Sequence, residues 1–282
     1  MAHPRTHAVS VRRPAHEVVP TKLLTIRMLG PLEVRRPDGS DVDPNEWRTK
    51  KAADLVRLLA LADGELVPRE TVINRLWPES ERSRALASLR TASCHARHVI
   101  GNEHIERNLM GMRLTNAWVD VTRLRALTVQ ARDAAENGAP ADVRSIAREA
   151  DALYRGSLHA HDDNATWVRA ERERLATAYQ TLLCDAAEAA IEAAAPREAV
   201  DFASRAIALD AFSEHACRLL MRGYAHLGET SRALNEFERC RKLLYDERGV
   251  DPSPQSRELQ LALSAVVRRG DELGDRYLAE LA

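Results

Sequence analysis

VPRETVINRLWPESERSRALASLRTASCHARHVI, residues 67–100, decides how the first third of this chain is read. Pro68 suits the start of a helix, because the N–H it lacks would have no partner there. Val72, Ile73, Leu76 and Trp77 then fall on one helical face, and Pro78 stops the helix. ESER makes a loop, Ser83 can cap the next helix, and that helix runs to about Ile100, before Gly101. On a 100° wheel Leu86, Leu89, Ser93, Ala96 and Ile100 share an inner face. Arg84, Ala87, Ser88, Thr91, Cys94, His95 and His98 lie opposite, with Arg90 and Arg97 on the flank. Short polar side chains framed by arginines can reach base edges while the arginines hold phosphates; a merely solvated helix face would show the same residue types.

The surrounding stretches extend this helix pair into a module. LLTIRMLGPLEV (23–34) alternates and is followed by RRPDGSDV, in which Asp38-Gly39 supplies a turn, so a strand and hairpin are expected. TKKAADLVRLLALADG places apolar residues at 55, 58, 59 and 62 and ends at Gly64, a helix with a glycine stop. After Gly101, HIERNLMGMRLTNAWV suggests two short strands around Asn108–Gly111. Sheet, three helices and a terminal hairpin is the order of a winged helix-turn-helix, whose third helix enters the major groove while the hairpin wing touches flanking backbone or minor groove.

Beyond Val121 the pattern is helical. Helices are expected at about 122–136, 141–154, 166–194, 197–209, 213–227, 231–247 and 254–268, broken at NGAP, RGSLHAHDDN, AAAP, LDAFS, LGET and RGVDPSP. REAVDFASRAIALD from 197 and SRALNEFERCRKLL from 231 align at an offset of 34, sharing Ala199/Ala233 and Arg205/Arg239. Leu220, Tyr224, Ala233 and Phe237 fall where a tetratricopeptide-like hairpin needs its large and small residues. Stacked hairpins of that kind offer concave surfaces to protein partners.

The whole chain has 282 residues, 45% hydrophobic and 4% aromatic, with a net charge of −1. That suffices for two helix-rich domains. Residues 1–120 carry 19 Lys+Arg against 15 Asp+Glu, and residues 121–282 carry 22 against 27. A basic front and an acidic back suit a DNA-contacting module joined to a protein-contacting one. No stretch approaches the ~20 apolar residues of a membrane span, so no membrane association is expected. Residues 1–22 contain no apolar signal core and read as a flexible lead-in. Cys94, Cys184, Cys217 and Cys240 are far apart without a CxxC pair, which points to reduced thiols in the cytoplasm.

Several segments resemble the antibiotic-regulatory transcriptional activators known as the SARP family. LGPLEV (29–34), the basic start of the first helix, VPRETVINRLWPE (67–79) and ASLRTA (87–92) are similar to its OmpR-type winged helix. ADALYRGSL (150–158), WVRAERERL (167–175) and LLYDERGVDPSPQSREL (243–259) are similar to its bacterial transcriptional activator domain, a tetratricopeptide-like bundle. The resemblance covers about residues 23–270. It implies a winged helix at 23–118, an activator domain at 119–270 and a tail at 271–282. It also implies binding to promoter direct repeats and recruitment of RNA polymerase. Where family members carry large apolar residues, this chain has Ser93, Cys94 and Ala96, which implies a thinly packed third helix. There is no GxxxxGK[ST] loop, so no nucleotide switch of that kind is expected.

The expected site follows. Arg84, Ser88, Thr91, His95 and His98 face bases. Arg48, Lys50, Lys51, Arg90 and Arg97, with Arg107 and Arg113 on the wing, serve phosphates or the minor groove. Glu79 and Glu81, repelled by DNA, face polymerase. The expected partners are double-stranded DNA, polymerase and a second copy on DNA; no cofactor or metal is called for, and a small-molecule ligand is undetermined. His159, His161, Asp162 and Asp163 read as a loop rather than a metal site, and Cys94 beside His95 as an ordinary thiol. No catalytic constellation can be assembled, so no enzyme is read. Two rivals stay open: a helical scaffold with a degenerate winged helix, and a ligand-responsive repressor.

Overall fold

The computed structural model describes residues 22–158 and 166–280, with side chains to residue 268. The segment 1–21 and the loop holding His159, His161, Asp162 and Asp163 lie outside the described residues.

The alternating stretch 23–34 is not one strand. Gly30, at φ +109°, turns the chain in its middle, in a region where only glycine is unstrained. Two strands result, β1 (Leu24–Arg27) and β2 (Glu33–Arg35), paired antiparallel with Ile26 opposite Val34. The Asp38-Gly39 turn forms, with Ser40 N–H on the Asp38 carboxylate at 2.8 Å, but it closes a single bridge, Arg35 to Asp41, rather than a hairpin.

Three helices follow: α1 (Lys50–Leu61), α2 (Arg69–Leu76) and α3 (Arg82–Ile100). The Thr49 hydroxyl caps α1 on Ala52 N–H at 3.2 Å. Glu81, not Ser83, caps α3; its carboxylate takes the Ser83 and Arg84 N–H groups at 3.0 and 3.3 Å and also the Ser83 hydroxyl. A second sheet, β3 (Val67–Pro68), β5 (Gly111–Leu114) and β4 (Ile105–Arg107), in that order, forms the wing. The chain then returns as β6 (Ala117–Val119), which pairs parallel to β1 and completes the first sheet, a pairing the sequence pattern did not suggest. Leu24, Ile26, Leu55, Leu58, Leu59, Leu76, Ile100 and Ile105 fill the core between these layers.

β6 runs directly into a helical array: α4 (Asp120–Glu136), α5 (Pro140–Leu153), α6 (Thr166–Glu192), α7 (Pro196–Leu209), α8 (Glu214–His226), α9 (Thr230–Arg248) and α10 (Pro254–Glu280). These match the expected helices except that α10 continues past residue 268 to Glu280. Alanine makes the stacking close: Ala186, Ala187, Ala190, Ala199, Ala203, Ala206, Ala216 and Ala233 are fully buried. A Cβ on Gly223 would stand 2.8 Å from Val200 Cγ2, so glycine sets the approach of α8 to α7. Gly249, left-handed at φ 65°, ends α9. The architecture is a winged helix-turn-helix followed by a tetratricopeptide-like helical bundle.

Candidate nucleic-acid interface

Alanine decides which way α3 turns. Its buried residues are Ala85, Leu89, Ala92, Ser93, Ala96, Val99 and Ile100, while Leu86 is only half-buried. Compared with the wheel built on the large residues, the inner face is rotated toward Ala85, Ala92 and Val99. The expected base-facing set therefore splits. Arg84, Thr91 and His98 are exposed, but Ser88 and His95 sit half-buried at the margin of the core rather than opposite it. Ala87, Arg90 and Cys94 are exposed as well. The Thr91 hydroxyl donates to the Ala87 carbonyl at 3.3 Å, an internal bond it can exchange for another acceptor.

The small residues on the inner side of α3 are enclosed. Ser93 is 1% and Ala96 0% exposed, and small residues at 85, 92 and 96 let the helix press against α1. Its C-terminal end is held by Arg36, whose Nε donates to the Val99 carbonyl at 2.8 Å. The same guanidinium pairs with Glu46, which is folded back onto Asp43 N–H at 2.9 Å. A cation on the last carbonyls of a helix also complements its dipole. Arg36 went unnoticed in the sequence, where it reads as part of a turn.

The expected phosphate-facing residues fall on three elements: the start of α1, α3 itself and the wing. Arg48 and Lys50 are exposed at the start of α1, and the Lys51 ammonium lies 6.0 Å from the Trp77 ring centre, against the α2–α3 turn. Arg90 is exposed, whereas Arg97 is half-buried. On the wing Arg107 is exposed, but Arg113 is bound to Glu106 at 2.6 Å and brings little net charge. In the α2–α3 turn Glu79 is exposed, while Glu81 is taken up by capping, which holds its carboxyl below the usual range. Arg82 reaches back to Glu70 at 2.5 Å and lowers that carboxyl too.

The winged module is fastened to the array by a polar seam. The buried Asp120 carboxylate accepts N–H bonds from Met28 (2.8 and 2.9 Å), Leu29 (2.9 Å) and Val121 (2.8 Å). Arg155 binds Glu33 at 2.5 Å, Arg125 joins the Leu61 carbonyl to Glu171, and the Thr122 hydroxyl donates to Asp63 at 2.8 Å. Leu29 and Gly30 bridge to Leu158. A surface groove of about 570 Å³ between α4 and α6 is lined by both signs of charge, among them Arg132, Arg174, Glu173 and Asp185. Among the described residues no group of three metal-ligating side chains converges, and no helix is long and apolar enough to cross a membrane. Cys94 is exposed; Cys184, Cys217 and Cys240 are buried free thiols.

Comparison with known proteins matches residues 119–264 to the bacterial transcriptional activator domain family. Regulatory protein AfsR of Streptomyces griseus is 27% identical over 257 residues, which is 89% of this chain but 25% of that protein. The chain thus spans about a quarter of the length of AfsR, here and in Streptomyces coelicolor, where identity is 28%. Regulatory protein DnrI of Streptomyces peucetius is 27% identical over 255 residues, covering 85% of this chain and 92% of that one. Among solved structures, Mycobacterium tuberculosis EmbR, in complex with a low affinity phosphopeptide, superposes with a TM-score of 0.72. It does so at 22% identity over 86% of this chain and 65% of its own, a likeness of fold.

Proposed function

We propose that this chain, which belongs to the bacterial transcriptional activator domain family, is a sequence-specific DNA-binding activator of transcription. In this reading residues 23–118 bind promoter direct repeats as a homodimer in the cytoplasm, and residues 119–270 carry self-association and regulation. RNA polymerase is recruited beside the site. The observation that carries it is α3: one face sealed into the core, and the other offering Arg84, Arg90, Thr91 and His98 to solvent, in a module that also exposes Arg48 and Lys50 at the start of α1 and Arg107 on the wing. A helix held so firmly on one side presents its outer groups at fixed positions, which base reading requires. The family and the regulatory relatives AfsR and DnrI support a role in gene control. We assign no catalytic step.

The purified chain should retard its own upstream DNA in a gel shift and discriminate it from random duplex. Arg84→Ala should cost ~1–3 kcal/mol on the preferred site and relax the preference at one base pair. A wild-type chain that binds no duplex better than random DNA overturns the reading.

A further inference from the structure

We propose that the wing tip, Leu109 and Met110, is an apolar wedge that enters the minor groove beside the α3 site and bends the duplex there; this rests on the DNA-binding reading above. These are the two most exposed large hydrophobic side chains among the described residues, 90% and 74%. Leu66, 37% exposed, widens the same patch, since its Cγ lies 3.2 Å from where a Cβ on Gly111 would stand.

The tip is built rather than loose. Asn108 Oδ1 accepts both Met110 N–H (2.8 Å) and Gly111 N–H (2.9 Å), and Asn108 N–H donates to the Gly111 carbonyl at 3.0 Å. Arg69 donates from its guanidinium to the Asn108 carbonyl and from its N–H to the Met110 carbonyl, each at 3.2 Å. Gly111 is required, since a Cβ there would stand 2.2 Å from the Val67 carbonyl oxygen. Two apolar side chains are thus held out in water on a hairpin whose backbone is already fixed, so the ordering cost left on binding is that of the two side chains.

The rim identifies the occupant. Arg69 and the exposed Arg107 flank the tip, while Glu106 is neutralised by Arg113. An apolar point within a cationic rim matches a surface that is anionic outside and apolar between its layers, as a base step framed by phosphates is. Side chains such as leucine and methionine inserted at such steps unstack them and kink the duplex by roughly 20–90°. The flexible TA and CA/TG steps yield most readily.

The test uses the full chain and duplexes it selects from a randomised pool, fluorescently labelled at both ends. The double variant Leu109→Ser, Met110→Ser should fold as the wild type does, since both positions are exposed. Its affinity for the selected duplex should fall about tenfold or more, and the end-to-end energy transfer that reports bending should be lost. The salt dependence of binding should not change, because no phosphate contact is removed. Wild-type affinity and bending in the variant overturn the wedge. A loss confined to two-site duplexes, with single-site binding intact, also overturns it and assigns the tip to contact between copies. A wild-type chain that selects no duplex overturns the DNA-binding reading itself, an outcome distinct from either.

Discussion

At the seam the Asp120 carboxylate gathers backbone N–H groups from Met28, Leu29 and Val121, whereas along α3 Ser93 Oγ, His95 Nδ1 and Arg97 Nε are buried with no hydrogen-bond partner among the described residues. Both regions bury polar atoms beside a well-packed apolar core. The seam completes its bonds inside the protein, so the end of β1 and the start of α4 form one stiff unit. α3 leaves bonds unmade and relies on alanine packing plus the Arg36 contact at its far end. Unmade bonds cost stability. The outer face of α3 stays open, and the seam, not α3, is the place where the protein is hardest to alter.

Asp120→Ala should therefore be the most damaging of the changes considered. It strands the Met28 and Leu29 N–H groups in a dry site, with a loss of about 3–5 kcal/mol in urea unfolding. A loss smaller than that of any α3 variant would invert the comparison.

The seam also has a pH signature. Burial pushes the Asp120 carboxyl up to about 6, against the N–H bonds and Arg155, which lower it. In the unfolded chain it titrates near ~3.9. Between about pH 4 and 6 the folded state holds this proton and the unfolded state does not. The stabilisation from this group is complete below pH ~4 and is lost as pH rises through about 6. The span is two pH units, about 3 kcal/mol. Unfolding free energies of the wild type minus those of Asp120→Asn should show that slope; a flat difference from pH 4 to 7 would remove Asp120 as its source.

Ala96→Leu tests the other half of the comparison. Ala96 is fully enclosed, and small residues above and below it set the distance from α3 to α1. Adding three carbons there should overpack the core, costing ~1–3 kcal/mol and loosening DNA binding with it. A stabilised variant with stronger binding would mean that α3 rests over a void.

What the sequence made legible, and what it concealed, follows the same division. Helix ends were readable because Pro68, Gly249 and the Pro-rich turn before α10 act locally. The repeat offset likewise foretold the α7–α9 stacking. The inner face of α3 was misjudged because a wheel weighted by Leu86 and Leu89 ignores alanine, whose burial depends on what approaches it. β6 and Asp120 escaped notice for a related reason. Their partners are β1 and the Met28–Leu29 backbone, more than 90 residues away. Nothing within residues 117–121 signals that pairing.

The smallest expected effects separate the two glutamates of the α2–α3 turn. Glu81 has both oxygens engaged at the start of α3, so Glu81→Ala should cost about 1 kcal/mol through the lost cap and weaken DNA binding only as far as the first turn frays. Glu79 is exposed and makes no such bond, so Glu79→Ala should leave both stability and gel-shift affinity unchanged. Phosphate would repel it, so its charge fits a basic protein surface beside the site, such as a bound polymerase, better than it fits DNA. An exposed pair is worth ~0.2–1 kcal/mol and acts chiefly on encounter. Transcription with purified polymerase should then fall by roughly 1.5- to 5-fold in Glu79→Ala at saturating occupancy of the site. Full activation by Glu79→Ala would take the turn out of activation. A fall of the same size in Glu81→Ala at saturating occupancy, with the cap restored by Glu81→Asp and activation still impaired, would assign the contact to Glu81 instead.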